Sequence, residues 1–170
     1  RACVPQSRSP PPVCAMSLRI LTVDDHPIVR MGLRALIEAD PALQLVGEAT
    51  DAESGVCLFE QLRPDVTLLD LQMPGLTGLD ALARMMALWP QARVVILSTY
   101  RGDANARQAF AAGASGYLLK STLGNELADA LQAVMAGKRC VSPDIAVDLA
   151  MHVAGELPGL RLELWGVRGK

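Results

Sequence analysis

From Leu18 onward, short apolar runs alternate with stretches whose apolar residues recur every three or four positions. The runs are Leu18 to Val23, Leu43 to Ala49, Val66 to Leu69, Val94 to Leu97 and Gly116 to Leu119. Runs this short, each closed by an acid, a Ser or a Lys beside turn residues, read as strands. The stretches between them read as helices. They carry Ile28, Leu33, Leu36 and Ile37; Val56, Leu58, Phe59 and Leu62; Leu79, Leu82, Met85 and Met86; Ala106, Ala109 and Phe110; and Leu127, Leu131, Val134 and Met135. Five strands thus alternate with five helices. Strands that are apolar almost throughout need cover on both faces, which a parallel sheet between two helix layers provides. Right-handed crossovers then point to a doubly wound α/β sandwich. In such sheets ligands collect at the carboxyl ends of the strands, where this chain has Asp24 and Asp25, Asp70, Ser98 and Thr99, and Lys120.

The composition supports one folded domain with tails. Of 170 residues, 51% are hydrophobic and 20% charged, which is the profile of a globular chain rather than a disordered one. The formal charge of −2 argues against a surface built to grip phosphate backbones. No apolar run reaches the roughly 18–20 residues needed to span a bilayer. Cys3, Cys14, Cys57 and Cys140 show neither CxxC spacing nor nearby His, so neither a zinc site nor a disulfide framework is expected, and a reducing cytoplasm fits best. Met85 and Met86 sit at core spacing and read as packing residues.

Asp70 closes the run VTLLD just before a turn, and Asp24 and Asp25 precede His26 and Pro27. Each alone has an ordinary explanation, since Asp initiates turns and suits a helix start with Pro in its first position. Together they differ, because the proposed fold sets the ends of the first and third strands side by side. Two unit charges about 4 Å apart repel by about 4 kcal/mol at an effective dielectric near 20, so three crowded carboxylates call for a cation. Hard oxygen donors with room for water suit Mg²⁺. Lys120 would bring an ammonium to the same rim and Ser98 a hydroxyl. Such a pocket can stabilise charge on a phosphoryl group as it moves onto a carboxylate, with Asp70 as the nucleophile. His26, at the entry of a helix, reads as a capping or surface residue.

The segments LRILTVDDHPIVR, DVTLLDLQMPGLTG, ARVVILSTY and GASGYLLKS resemble the receiver domain of two-component response regulators. The resemblance spans residues 18 to 137. The DDHP start, the LLDLQMPG block, YLLKS without a following Pro, and AGKRCVSPDIA are similar to the NarL/FixJ (LuxR-type) branch. It implies a flavodoxin-like fold with strand order 2-1-3-4-5. It also implies Asp70 as phosphoacceptor, Asp24 and Asp25 with the Gln72 backbone carbonyl as partners of Asp70 around Mg²⁺ (or Mn²⁺ in its place), Ser98 as switch hydroxyl, Lys120 as the phosphoryl-binding lysine and Tyr117 as the aromatic that turns inward on phosphorylation. Gln72 and Tyr100 occupy the positions that tune the lifetime of the phosphoryl-aspartate. The implied partners are a sensor histidine kinase and, on phosphorylation, a second copy of the chain, with the first, fourth and fifth helices as candidate faces.

Three other classes compete with this one. A haloacid-dehalogenase-type phosphatase wants a second Asp two positions after the first, where this chain has Gln72. A nucleotide- or flavin-binding domain needs a Gly- or Ser/Thr-rich loop after the first strand, where this chain has DDHP. A pseudo-receiver acting only as an interaction module remains compatible with every motif. Along the chain, residues 1 to 15 are expected to be a non-native or disordered leader, 16 to 138 the receiver, and 139 to 170 a linker helix and tail. The residues after Val153 cannot supply the helices of a LuxR-type DNA-binding domain, so no nucleic acid is expected to bind this chain alone.

Overall fold

A computed structural model describes residues 17–153; the expectations for 1–15 and for the tail after 153 lie outside them. The elements in chain order are β1 (Leu18–Val23), α1 (Pro27–Glu38), β2 (Leu43–Ala49), α2 (Ala52–Leu62), β3 (Val66–Asp70), α3 (Gly78–Leu88), β4 (Val94–Ser98), α4 (Asp103–Ala111), β5 (Gly116–Leu119), α5 (Leu123–Met135), β6 (Cys140–Val141) and α6 (Pro143–Val153). A single 3₁₀ turn, Lys120–Thr122, joins β5 to α5. Every strand pair is parallel, in the order β2-β1-β3-β4-β5-β6. The doubly wound α/β sandwich is therefore present, with β1 and β3 adjacent as anticipated.

The two faces of the sheet follow the period-two alternation of strand side chains. Ile20, Leu68, Val95 and Leu97 point to one side, where Leu33 and Ile37 of α1 and Leu127, Leu131 and Val134 of α5 cover them. Leu21, Val23, Leu69, Val94 and Ile96 point to the other, against Phe59 of α2, Leu82 and Met85 of α3 and Phe110 of α4. Both faces of the sheet are covered by helices, so the central strands are apolar almost throughout, with Thr22 and Thr67 as buried polar exceptions before the strand-end Asp70 and Ser98.

Local chemistry sets the element ends. Pro27 opens α1, where its missing N–H costs nothing. Asp51 caps α2 by accepting from the Ser54 amide at 2.8 Å. Thr77 and Asp80 form a reciprocal capping box at the start of α3, which holds the Asp80 carboxyl below the ordinary carboxylate range through its hydrogen bonds to Thr77. α2 stops at Arg63, whose left-handed backbone precedes Pro64.

The sheet exceeds the five strands expected. The sixth, β6, is two residues long and pairs Cys140 with Gly116 and Val141 with Tyr117. A pair of residues is too short to leave a periodic signature. Beyond it, the stretch read as a linker helix is α6, and it lies against the body: Ile145, Ala146 and Leu149 are buried in the same cluster as Phe110 and Tyr117. Among the described residues, no helix is long and apolar enough to cross a membrane.

Candidate functional site

The parallel register brings the carboxyl ends of β1, β3 and β5 to one rim of the sheet. Asp24 follows β1 directly, Asp70 is the last residue of β3, and Lys120 follows β5. The Lys120 ammonium lies 2.8 Å from Asp24 Oδ2 and 2.9 Å from Asp70 Oδ2, bridging the two carboxylates. All three are secluded: the side chains of Asp24, Asp70 and Lys120 are 0%, 2% and 7% exposed. Asp25 is partly open to solvent beside them. Backbone amides complete the arrangement, with the His26 amide donating to Asp24 Oδ1 at 2.8 Å and the Gln72 amide to Asp70 Oδ1 at 3.1 Å.

The electrostatics follow from this seclusion. Burial pushes the Asp70 carboxyl above its ordinary pKa; the Lys120 and Gln72 hydrogen bonds oppose the shift and the Asp24 charge adds to it. A carboxyl harder to ionise when folded holds its proton more tightly in the folded than in the unfolded chain. Its contribution therefore turns against folding as pH climbs from the ordinary carboxylate range through the raised value. With EDTA present, Asp70→Asn is expected to unfold at higher urea than the unaltered chain at pH 7. That advantage should shrink towards about pH 3, below the ordinary aspartate pKa. Urea titrations at the two pH values check this.

The hydroxyl and aromatic positions lie one strand away. Ser98, the last residue of β4, accepts the Tyr100 amide at 3.0 Å, so its oxygen is engaged with its own loop rather than with Asp70. Tyr117 on β5 is wholly buried. Its hydroxyl makes no full hydrogen bond, and the Ser98 side chain is the polar group that partly offsets the burial raising its pKa. Tyr117 thus lies inward in this structure. Tyr100 and Gln72 are exposed at the rim, Tyr100 by 56%.

Comparison with known proteins adds the decisive observation: the sequence profile of the response regulator receiver domain matches residues 20–132. The chain belongs to this receiver family. The transcriptional regulatory protein LiaR of Bacillus subtilis is 37% identical over 129 residues, covering 76% of this chain and 61% of LiaR. The nitrate/nitrite response regulator NarL of Escherichia coli is 39% identical over 131 residues, 77% of this chain and 61% of NarL. The chain thus spans about three fifths of the length of these relatives. A crystal structure of a LuxR-family two-component response regulator from Aurantimonas sp. SI85-9A1 superposes with a TM-score of 0.77 at 43% identity, covering 80% of this chain and 97% of that one. The expected family and branch, and the receiver fold, are therefore established.

Within the receiver, one residue set aside from sequence stands at the rim. The His26 ring turns back from the start of α1, with Nδ1 2.9 Å from Asp25, 3.3 Å from Asp24 and 3.7 Å from Asp70. It is the helix-capping residue by position, yet its side chain makes no capping hydrogen bond. The signal available was the sequence DDHP itself, in which two acids draw an adjacent imidazole. The two thiols among the described residues stay apart from the site. Cys57 is exposed on α2, and burial pushes the Cys140 thiol up to about 12.

Proposed function

We propose that this receiver is a Mg²⁺-dependent phosphoacceptor switch, taking a phosphoryl group from a sensor histidine kinase onto Asp70. The observation that carries the reading is the Lys120 ammonium bridging Asp24 and Asp70 at a buried strand-end rim that also holds Asp25. The donor set fits a hard divalent ion. Oxygens of Asp24, Asp25 and Asp70 lie within 4.8 Å of one another and of a His26 ring nitrogen; Asp24 Oδ2 and Asp70 Oδ2 face the Lys120 ammonium and Asp25 Oδ1 faces the His26 ring, and each carboxylate oxygen keeps lone-pair capacity for a cation. Asp24, Asp25, Asp70 and the Gln72 backbone carbonyl would hold Mg²⁺, or Mn²⁺ in its place. When bound, the ion neutralises charge on the phosphoryl oxygens.

In the transfer, an Asp70 carboxylate oxygen forms the new bond to phosphorus while the bond from phosphorus to the donor breaks, and the donor leaves with that electron pair. Lys120 holds negative charge that gathers on the phosphoryl oxygens. Ser98 then turns its hydroxyl proton from the Tyr100 carbonyl, which it meets at 3.4 Å, to a phosphoryl oxygen, and the buried Tyr117 hydroxyl follows it. Shifting a two-state element from 1:99 to 99:1 takes about 5.5 kcal/mol, more than the about 1.5–3 kcal/mol of one charge-assisted hydrogen bond. Lys120, the metal ion and contacts with a second copy of the chain supply the remainder. Gln72 and Tyr100, exposed beside the acceptor, set access for hydrolytic water. The protein acts in the cytoplasm, and in a longer parent chain the switch controls a DNA-binding domain.

The test is intact mass after incubation with acetyl phosphate and Mg²⁺, beside an EDTA sample and Asp70→Asn. One phosphoryl adduct, absent from both controls, is expected. A folded chain that gains none would instead be an interaction module that works without phosphorylation.

A further inference from the structure

The family match stops at residue 132, yet a side chain beyond it is bonded into β5, the strand that ends just before Lys120. Ser142 lies between β6 and α6 and is 1% exposed. Its amide donates to the Tyr117 carbonyl at 3.0 Å, the last backbone rung between β5 and β6. Its hydroxyl oxygen then accepts the Leu119 amide at 3.0 Å, standing where a further strand carbonyl would be. The hydroxyl proton goes to Glu126 Oε2 on α5, at 2.6 Å. A serine hydroxyl has one proton to give, so the carboxylate fixes the rotor and turns a lone pair towards Leu119.

This clamp grips β5 from the side opposite β4, whose Ile96 and Ser98 pair with Tyr117 and Leu119. The clamped segment holds Tyr117 and ends one residue before the ammonium that bridges Asp24 and Asp70. Without the hydroxyl, the buried Leu119 amide loses its acceptor and the end of β5 is free to shift. Ser142 also receives the Ile145 and Ala146 amides on its carbonyl, each at 3.0 Å, so it starts α6 as well.

We propose that Ser142, oriented by Glu126, is a positioning residue for phosphoryl transfer: it holds the end of β5 so that Lys120 meets Asp70. The inference rests on the phosphoacceptor reading above. Ser142 touches no reacting atom. Its effect is on rate, through the placement of Lys120.

The test measures phosphoryl uptake by intact mass at saturating Mg²⁺ and fixed acetyl phosphate, using the full chain. Ser142→Ala is expected to slow uptake about tenfold, short of the roughly hundredfold that misplacing a reacting group by about 1 Å costs. Glu126→Ala, which frees the rotor at a partly exposed site, should slow it about threefold, and Glu126→Gln, which keeps an acceptor, should restore it. Ile37→Ala, a core cavity on α1 away from β5, serves as a destabilised control and should leave the rate unchanged. Hydrogen exchange at the Leu119 amide should quicken in Ser142→Ala and in Glu126→Ala. Uptake by Ser142→Ala at the unaltered rate overturns the proposal, as does equal slowing in Ile37→Ala or a Glu126→Gln variant as slow as Glu126→Ala. Should Ser142→Ala not fold, the Glu126 pair decides. Absence of uptake by the unaltered chain would overturn the phosphoacceptor reading itself, and this inference with it, which is a different result from uptake that ignores Ser142.

Discussion

Lys120→Met is expected to lower the stability of the metal-free chain at pH 7 by about 3–5 kcal/mol, the usual cost of removing one partner from a buried ion pair. The size follows from the geometry. Asp24 and Asp70 are almost fully buried and share one ammonium at 2.8 and 2.9 Å; methionine fills a similar volume and leaves two carboxylates facing each other. Adding Asp70→Asn to Lys120→Met removes one of the two charges and should recover much of the loss, and Mg²⁺ should recover part of it by mass action on the folded state. Urea unfolding of the single and double variants, with EDTA and with Mg²⁺, provides the measurement. A Lys120→Met chain as stable as the unaltered one would mean that the ammonium does not offset the carboxylates. With Mg²⁺ present this variant should also take up phosphoryl groups far more slowly.

The second large effect is expected at Gly78, the first residue of α3. A Cβ there would lie 2.2 Å from the Asp70 carbonyl oxygen and 2.7 Å from Leu71 Cα, and both are backbone atoms that cannot swing aside. Gly78→Ala should therefore cost about 3 kcal/mol, the upper end of the usual range for overpacking, and should displace the end of β3 that carries Asp70. Gly32, inside α1, provides the contrast. An added Cβ meets nothing within 4 Å there, so Gly32→Ala should stabilise the chain by about 0.4–1 kcal/mol. Denaturation midpoints of the two variants, with phosphoryl uptake by each, separate a strained site from a general intolerance of alanine.

The alternation of apolar runs and helical spacing was enough to place β1 to β5 and α1 to α5, because strands buried on both faces and amphipathic helices leave distinct periods. The rim was legible for the same reason: once β1 and β3 are neighbours, Asp24 and Asp70 must meet, and Lys120 follows the last of the five anticipated strands. What escaped depends on rotamers and on very short elements. The DDHP sequence indicates a helix start, but whether the His26 ring caps that helix or turns to Asp25 is a matter of side-chain torsion. Ser98 has one hydroxyl and several possible partners, and only the loop conformation commits it to Tyr100. β6 is held by its pairing with β5 rather than by any preference of Cys140 and Val141, so no local pattern announces it.

That short sixth strand has a bearing on solubility. β5 reads Gly-Tyr-Leu-Leu and is fully buried, and β6 occupies the hydrogen-bonding edge that it would otherwise present to solvent. A flat apolar edge of unpaired amides and carbonyls is a template for another chain. Trimming the protein back to the end of α5 would uncover that edge and favour self-association through strand pairing, a route to aggregation unrelated to signalling.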